Sequence, residues 1–144
     1  MLPALSVVAF AAMVAGLVGL FYDGALFATQ PVVIGLQAAA FLLMMAARIT
    51  FGRRSFHAAA NPTEGGLVTT GPYAYFRHPI YAAIIYFIWA GALSHLSWRA
   101  LAYAELITAG AFVRMHIEEH LLSQKYPAYA AYKRRVKRVV PFIY

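Results

Sequence analysis

The sequence predicts an all-α, polytopic membrane protein with about four transmembrane helices, a cytoplasmic loop and a C-terminal interfacial helix. Three observations predict it. Hydrophobic residues make up 62% of the 144-residue chain and charged residues only 12%, whereas soluble domains carry about a quarter. Four stretches, about 2–22, 31–51, 79–97 and 99–117, are apolar over the roughly 20 residues a helix needs to cross hydrocarbon. Eleven of the twelve Lys and Arg residues fall on one side of those stretches, as the positive-inside rule requires of a cytoplasmic side.

The elements follow in order. The first stretch lacks a basic leader and its apolar run is longer than a signal peptide's, so it reads as an uncleaved span. After the second span, residues 52–78 carry Gly, Pro, Asn and Thr punctuation and read as a cytoplasmic loop with a short helix around 53–60. Pro79 suits the first turn of a helix, where a missing N–H costs nothing, so the third span starts at His78 or Pro79. Only about Ser97 and Trp98 separate the third and fourth spans, which forces an antiparallel hairpin. Residues 118–140 continue the fourth span, break at Pro127, and resume with Tyr126, Tyr129 and Tyr132 ahead of a basic run. That pattern suits an interfacial helix, tyrosines at headgroup level and cations toward anionic lipid. No internal repeat is present, and residues 1–144 read as one domain.

Charge placement settles what the formal net charge of +7 means. Arg48, Arg53, Arg54 and Arg77 lie around the second connection; Arg114, Lys125, Lys133, Arg134, Arg135, Lys137 and Arg138 lie at or after the end of the fourth span. Only Arg99 is opposite. Both termini and the 52–78 loop are therefore expected in the cytoplasm. Topology and attraction to anionic membrane lipid account for the basic excess, so no nucleic-acid partner is expected. The absence of cysteine excludes disulfides and thiolate chemistry. "HIEEH" at 116–120 matches an inverted zinc-protease motif, but no third ligand accompanies it, and His57, His78, His116 and His120 all lie near one surface rather than deep in facing spans as haem would need. No metal is expected.

The stretch "GPYAYFRHPIY", residues 71–81, places Arg77 and His78 beside the N-terminus of the third span, where free N–H groups attract anions. Arg114, His116, Glu118 and Glu119 cluster at the end of the fourth. In a tight hairpin these two ends are neighbours, so two polar constellations converge at one depth. Taken alone, each group also serves as an interfacial anchor or a solvated helix end. Glu105, a carboxylate within a span, is expected to be paired or protonated in a structural role.

"LVTTGPYAYFRHPIY", "RMHIEEHLL" and "YAAYKRRVKRVVPFI" together resemble the isoprenylcysteine carboxyl methyltransferases and the related phospholipid methyltransferases, over about residues 65–143. The resemblance implies an integral membrane enzyme that uses S-adenosylmethionine and releases S-adenosylhomocysteine. It implies cofactor contacts from Leu67, Val68, Tyr73, His78, Pro79, Ile80, Tyr81 and Glu118, with Arg114, one turn before Glu118, reaching the acceptor. His116 and Glu119 join Arg114 as candidate catalytic residues; His78, His116 or Glu119 would take the proton from an amine, phenol or thiol acceptor. Gly65 stands where the eukaryotic enzymes have His, and Ala83 where many members have Gly. The implied acceptor is lipid-like or hydrophobic, a prenylcysteine-like carboxylate among the candidates, and enters from the bilayer to a cytoplasmic active site. The alternative from the residues alone is a non-enzymatic membrane protein that binds anionic lipid or a partner helix.

Overall fold

The computed structural model of the chain describes residues 2–52, 66–141 and 143. Among these are five α-helices: α1 (Leu2–Tyr22), α2 (Pro31–Phe51), α3 (Pro79–His95), α4 (Trp98–Lys125) and α5 (Tyr129–Arg135), with a 3₁₀ turn at Gly71–Ala74. The short helix expected around 53–60 lies outside the described residues.

The first four helices pack in the order α1, α4, α3, α2. On α1 the buried residues are Ser6, Ala9, Met13, Gly16 and Leu20, alternately three and four apart, which is one stripe of a helix. That stripe meets the buried side of α4, including Ala104, Ile107 and Ala111. Small residues bring the two backbones together: a Cβ on Gly110 would stand 2.8 Å from the Ala9 carbonyl oxygen. Close approach through small residues is how helices associate where lipid removes the hydrophobic drive. The outer faces of α1 and α2 expose Val8, Phe21, Val32, Phe41 and Leu42, surface that water would penalise and hydrocarbon accepts.

By length and composition α1 and α2 are long and apolar enough to cross a membrane, and α3 is a shorter apolar helix of 17 residues. The sequence reading counts four such segments. The difference lies in α3, which ends at His95 rather than 97, and in α4, whose 28 residues run past the expected end at 117 and carry Arg99, Glu105, Arg114, Glu118 and Glu119. Glu105 itself is exposed on α4 and makes no ion pair among the described residues.

The hairpin between α3 and α4 turns through Leu96 in the left-handed conformation (φ 46°), and Ser97 caps α4 by accepting from the Ala100 amide at 3.1 Å. Nearby, buried Gln37 of α2 accepts from the Ala28 amide (2.9 Å) and donates to the Leu26 and Phe87 carbonyls (2.8 and 3.0 Å). Arg99 pairs with Asp23. These contacts fasten the α1–α2 connection to α3 and α4 and fix the hairpin's closed end, so its open end is set by the other side of the bundle.

There the C-terminal segment folds back. Arg77 and His78 donate their amides to the Lys137 and Arg138 carbonyls (2.7 and 3.1 Å), and Tyr86 donates its hydroxyl to the Val139 carbonyl. Tyr129 and Tyr132, expected at headgroup level, turn inward and are 1% and 5% exposed, because Leu67, Leu122 and Tyr126 pack over them.

A buried ionic site at the open end of the hairpin

Pro79 occupies the first turn of α3 with His78 as its N-cap, so the chain enters the helix through Arg77 and His78. The preceding 3₁₀ turn is fixed by Gly71, whose φ of +56° and closeness to Thr50 leave no room for a side chain: a Cβ would lie 2.8 Å from the Thr50 hydroxyl oxygen. Tyr73 is thereby buried, its ring 5.5 Å from that of Phe51 on α2, and its carbonyl accepts from the Tyr132 hydroxyl at 2.7 Å.

On α4, Glu118 and Glu119 are one residue apart and therefore point about 100° apart around the helix. Glu118 faces the start of α3. Its Oε1 accepts from the Tyr81 hydroxyl at 2.5 Å, and the Tyr81 oxygen accepts from Arg114 Nε at 2.8 Å. Arg114 Nη2 lies 3.7 Å from Glu118. Arg114 Nη1 donates to both the carbonyl and the hydroxyl of Ser6 on α1 (3.1 and 3.2 Å), and its guanidinium lies 5.2 Å from the Phe10 ring centroid.

Glu119 faces the C-terminal segment. Arg138 holds it with both Nε and Nη2 (3.0 and 3.1 Å), and Arg77, Lys133 and His78 Nε2 reach it at 3.1, 3.5 and 3.2 Å. Burial works to raise its pKa, but hydrogen bonds from His78 and Arg138 and the charges around it outweigh burial and hold the carboxyl well below the usual range. His78 joins the two groups, its Nδ1 being 3.7 Å from Glu118. Burial also pushes the Tyr73, Tyr129 and Tyr132 phenols up, so all three stay neutral. The Tyr129 hydroxyl is buried with no hydrogen-bond partner among the described residues.

The cluster thus brings together His78, Tyr81, Arg114, Glu118 and Glu119, with Pro79 buried beside them. Tyr73 stands next to it. Leu67 and Val68 are half-buried, Leu67 against the α5 tyrosines, and Ile80 is half-buried on α3. His116 is not brought in: it is exposed, and its Nδ1 bonds the Phe112 carbonyl at 2.8 Å. Residue 116 is two positions from 114 and from 118, which puts it on the opposite side of the helix. Glu118, with a quarter of its side chain exposed against 4% for Glu119, is the carboxylate with room to accept from another molecule.

Three members of the cluster escaped the sequence reading as site residues. Ser6 is the lone polar side chain between Leu2 and Phe21, a signal that was available. Arg77 lies within the recognised motif, next to His78, but the sequence reading gives it no part in cofactor binding or catalysis. Arg138 was masked within "KRRVKR", a run that also reads as a lipid-facing stretch.

An all-α membrane protein whose hairpin end holds a buried network of carboxylates, arginines and a histidine is the class that fold and site define. The chain belongs to the phospholipid methyltransferase family, whose model matches residues 32–129. It is also 37% identical over 78 residues to the nickel-cobalt-cadmium resistance protein NccN of Alcaligenes xylosoxydans xylosoxydans, a match covering 52% of this chain and 36% of that protein. The chain therefore spans about a third of that relative's length. No solved structure matches.

Proposed function

We propose that the chain is an S-adenosylmethionine-dependent methyltransferase acting on a membrane-embedded, lipid-like acceptor, and that the site opens to the cytoplasm. The observation that carries the reading is the linked set Arg114–Tyr81–Glu118–His78 at the hairpin's open end, in a chain of this family. The residues fit a sulfonium nucleoside. Glu118 is a partly exposed carboxylate that accepts from ribose hydroxyls or an amino group. The Tyr81 ring offers a face to positive charge, worth roughly 0.5 to 2 kcal/mol. The amides at the start of α3 suit a carboxylate. Leu67, Val68, Tyr73, Pro79 and Ile80 supply apolar and aromatic walls that exclude water.

When bound, the cofactor supplies an electrophilic methyl group, which passes in line to the acceptor's nucleophilic atom while the sulfur keeps the bonding pair as a thioether. The protein's part is alignment and desolvation. A carboxylate acceptor such as a prenylcysteine needs no base. An amine loses its proton after or during transfer; with Glu118 holding the nucleoside and Glu119 committed to Arg138, Arg77 and Lys133, His78, between the two carboxylates, is the base in this reading. Arg114 faces the interior, and its first work is to fix Tyr81 and Glu118. His116, on the other face of α4, has no part in this reading.

A second reading, a non-enzymatic protein that binds anionic lipid or a partner helix, draws on the exposed apolar faces of α1 and α2 and on the basic C-terminal segment. Calorimetric titration of the purified protein with S-adenosylmethionine and S-adenosylhomocysteine separates the two. The enzyme reading expects a dissociation constant of about 1 μM, about 8 kcal/mol. Absence of heat and of a thermal shift with both compounds rejects it.

A further inference from the structure

The family match begins at residue 32, so α1 lies wholly outside it, yet α1 supplies two of the groups that hold the site's central cation. Ser6 is fully buried within an otherwise apolar stretch. Its carbonyl and its hydroxyl both accept from Nη1 of Arg114, at 3.1 and 3.2 Å. One turn on, the Phe10 ring lies 5.2 Å from the same guanidinium. The planar guanidinium is thus gripped on its Nη1 corner by α1 while Nε meets Tyr81 (2.8 Å) and Nη2 lies 3.7 Å from Glu118. A guanidinium is rigid and planar, so fixing one corner fixes the direction of the other donors.

We propose that Ser6 is a positioning residue for the methyltransferase site: it sets the plane of Arg114, and through it the hydroxyl of Tyr81 and the carboxylate of Glu118 that receive the nucleoside. The inference rests on the function proposed above. It makes α1 a working part of the site rather than a membrane anchor. An apolar helix needs no hydroxyl to sit in lipid or to pack on the small residues of α4, and the face that carries Ser6 continues as Ala9, Met13 and Gly16, all of which pack without polar groups.

The test is a double-mutant cycle read as affinity for S-adenosylhomocysteine, by calorimetry in detergent, with the ligand-free melting midpoint recorded for each variant. Ser6→Ala is expected to weaken binding about fivefold, the order of one hydrogen bond to a charged group partly compensated by the remaining carbonyl. In an Arg114→Lys background, where the fork is gone, Ser6→Ala is expected to change affinity less than twofold; coupled residues are non-additive. Should Arg114→Lys not fold, Tyr81→Phe serves as the background, since it removes the next link of the same chain. Ser6→Ala binding within twofold of the unaltered protein, or an equal fivefold loss in both backgrounds, overturns the positioning role and leaves the methyltransferase reading intact. An unaltered protein that does not bind S-adenosylhomocysteine rejects that reading, and this role of Ser6 with it.

Discussion

Arg114 Nε donates to the Tyr81 hydroxyl at 2.8 Å, and that hydroxyl donates in turn to Glu118 at 2.5 Å, so a residue at the start of α3 relays the orientation of two residues on α4. A phenol that both accepts and donates cannot be replaced by a ring alone. Tyr81→Phe is expected to leave the fold intact and weaken S-adenosylhomocysteine binding several-fold, and Glu118→Ala to weaken it about tenfold or more, the scale of a lost charged hydrogen bond. Equilibrium dialysis with labelled ligand checks both, and equal affinities across the three proteins would show that the relay holds nothing.

Glu119 makes a different prediction, of stability and its pH dependence. Its native carboxyl titrates below the ordinary range, while in the unfolded chain it titrates near about 4.3. A depressed native value contributes stability above the unfolded value, and that contribution is lost as pH falls from about 4.3 toward the native value. Glu119→Gln is therefore expected to melt well below the unaltered protein at pH 7, and the gap to narrow on acidification below about pH 4. Breaking one partner of a buried ion pair costs about 3 to 5 kcal/mol. Thermal melts in detergent across that range check it; a gap independent of pH contradicts it.

The α1–α4 contact predicts that size at Gly110 matters more than polarity. Its Cβ would stand 2.8 Å from a backbone oxygen of Ala9 and 2.7 Å from Met13 Cγ, and the backbone oxygen cannot swing away. Gly110→Val is expected to destabilise by at least 1 to 3 kcal/mol, as overpacking does, and Gly35→Val, where nothing lies within 4 Å, to cost much less. Melting midpoints of the two variants compare them directly.

The proposed orientation rests on eleven basic residues on one side against Arg99 on the other. A reporter fused after Tyr144 is expected to be active in the form that reads the cytoplasm. Activity only on the opposite side would contradict both the orientation and the span count behind it.

Much of this fold was legible because apolar length and basic asymmetry are properties of the sequence itself: the bounds of α1 and α2 agree with the expected 2–22 and 31–51. The convergence of His78 with Glu118 followed from a two-residue turn between α3 and α4. Less legible was anything set by tertiary packing. The end of α4 at Lys125 follows from Pro127 and not from the end of the apolar run. Tyr129 and Tyr132 have the spacing of an interfacial stripe, but Leu67 and Leu122 cover them. Glu119 and Arg138 are 19 residues apart with a helix break between, so no local pattern pairs them. His116 shares the motif with Glu118 but not its helix face, a distinction that 3.6 residues per turn makes available to any reading that tracks angle as well as spacing.

The most direct test of the central claim is transfer of a labelled methyl group. Purified protein incubated with S-adenosylmethionine labelled on its methyl and with membrane lipid extract is expected to move label into the organic phase, at a rate that falls by at least tenfold for Glu118→Ala. Label that stays in the aqueous phase, or that moves equally with Glu118→Ala, would contradict it.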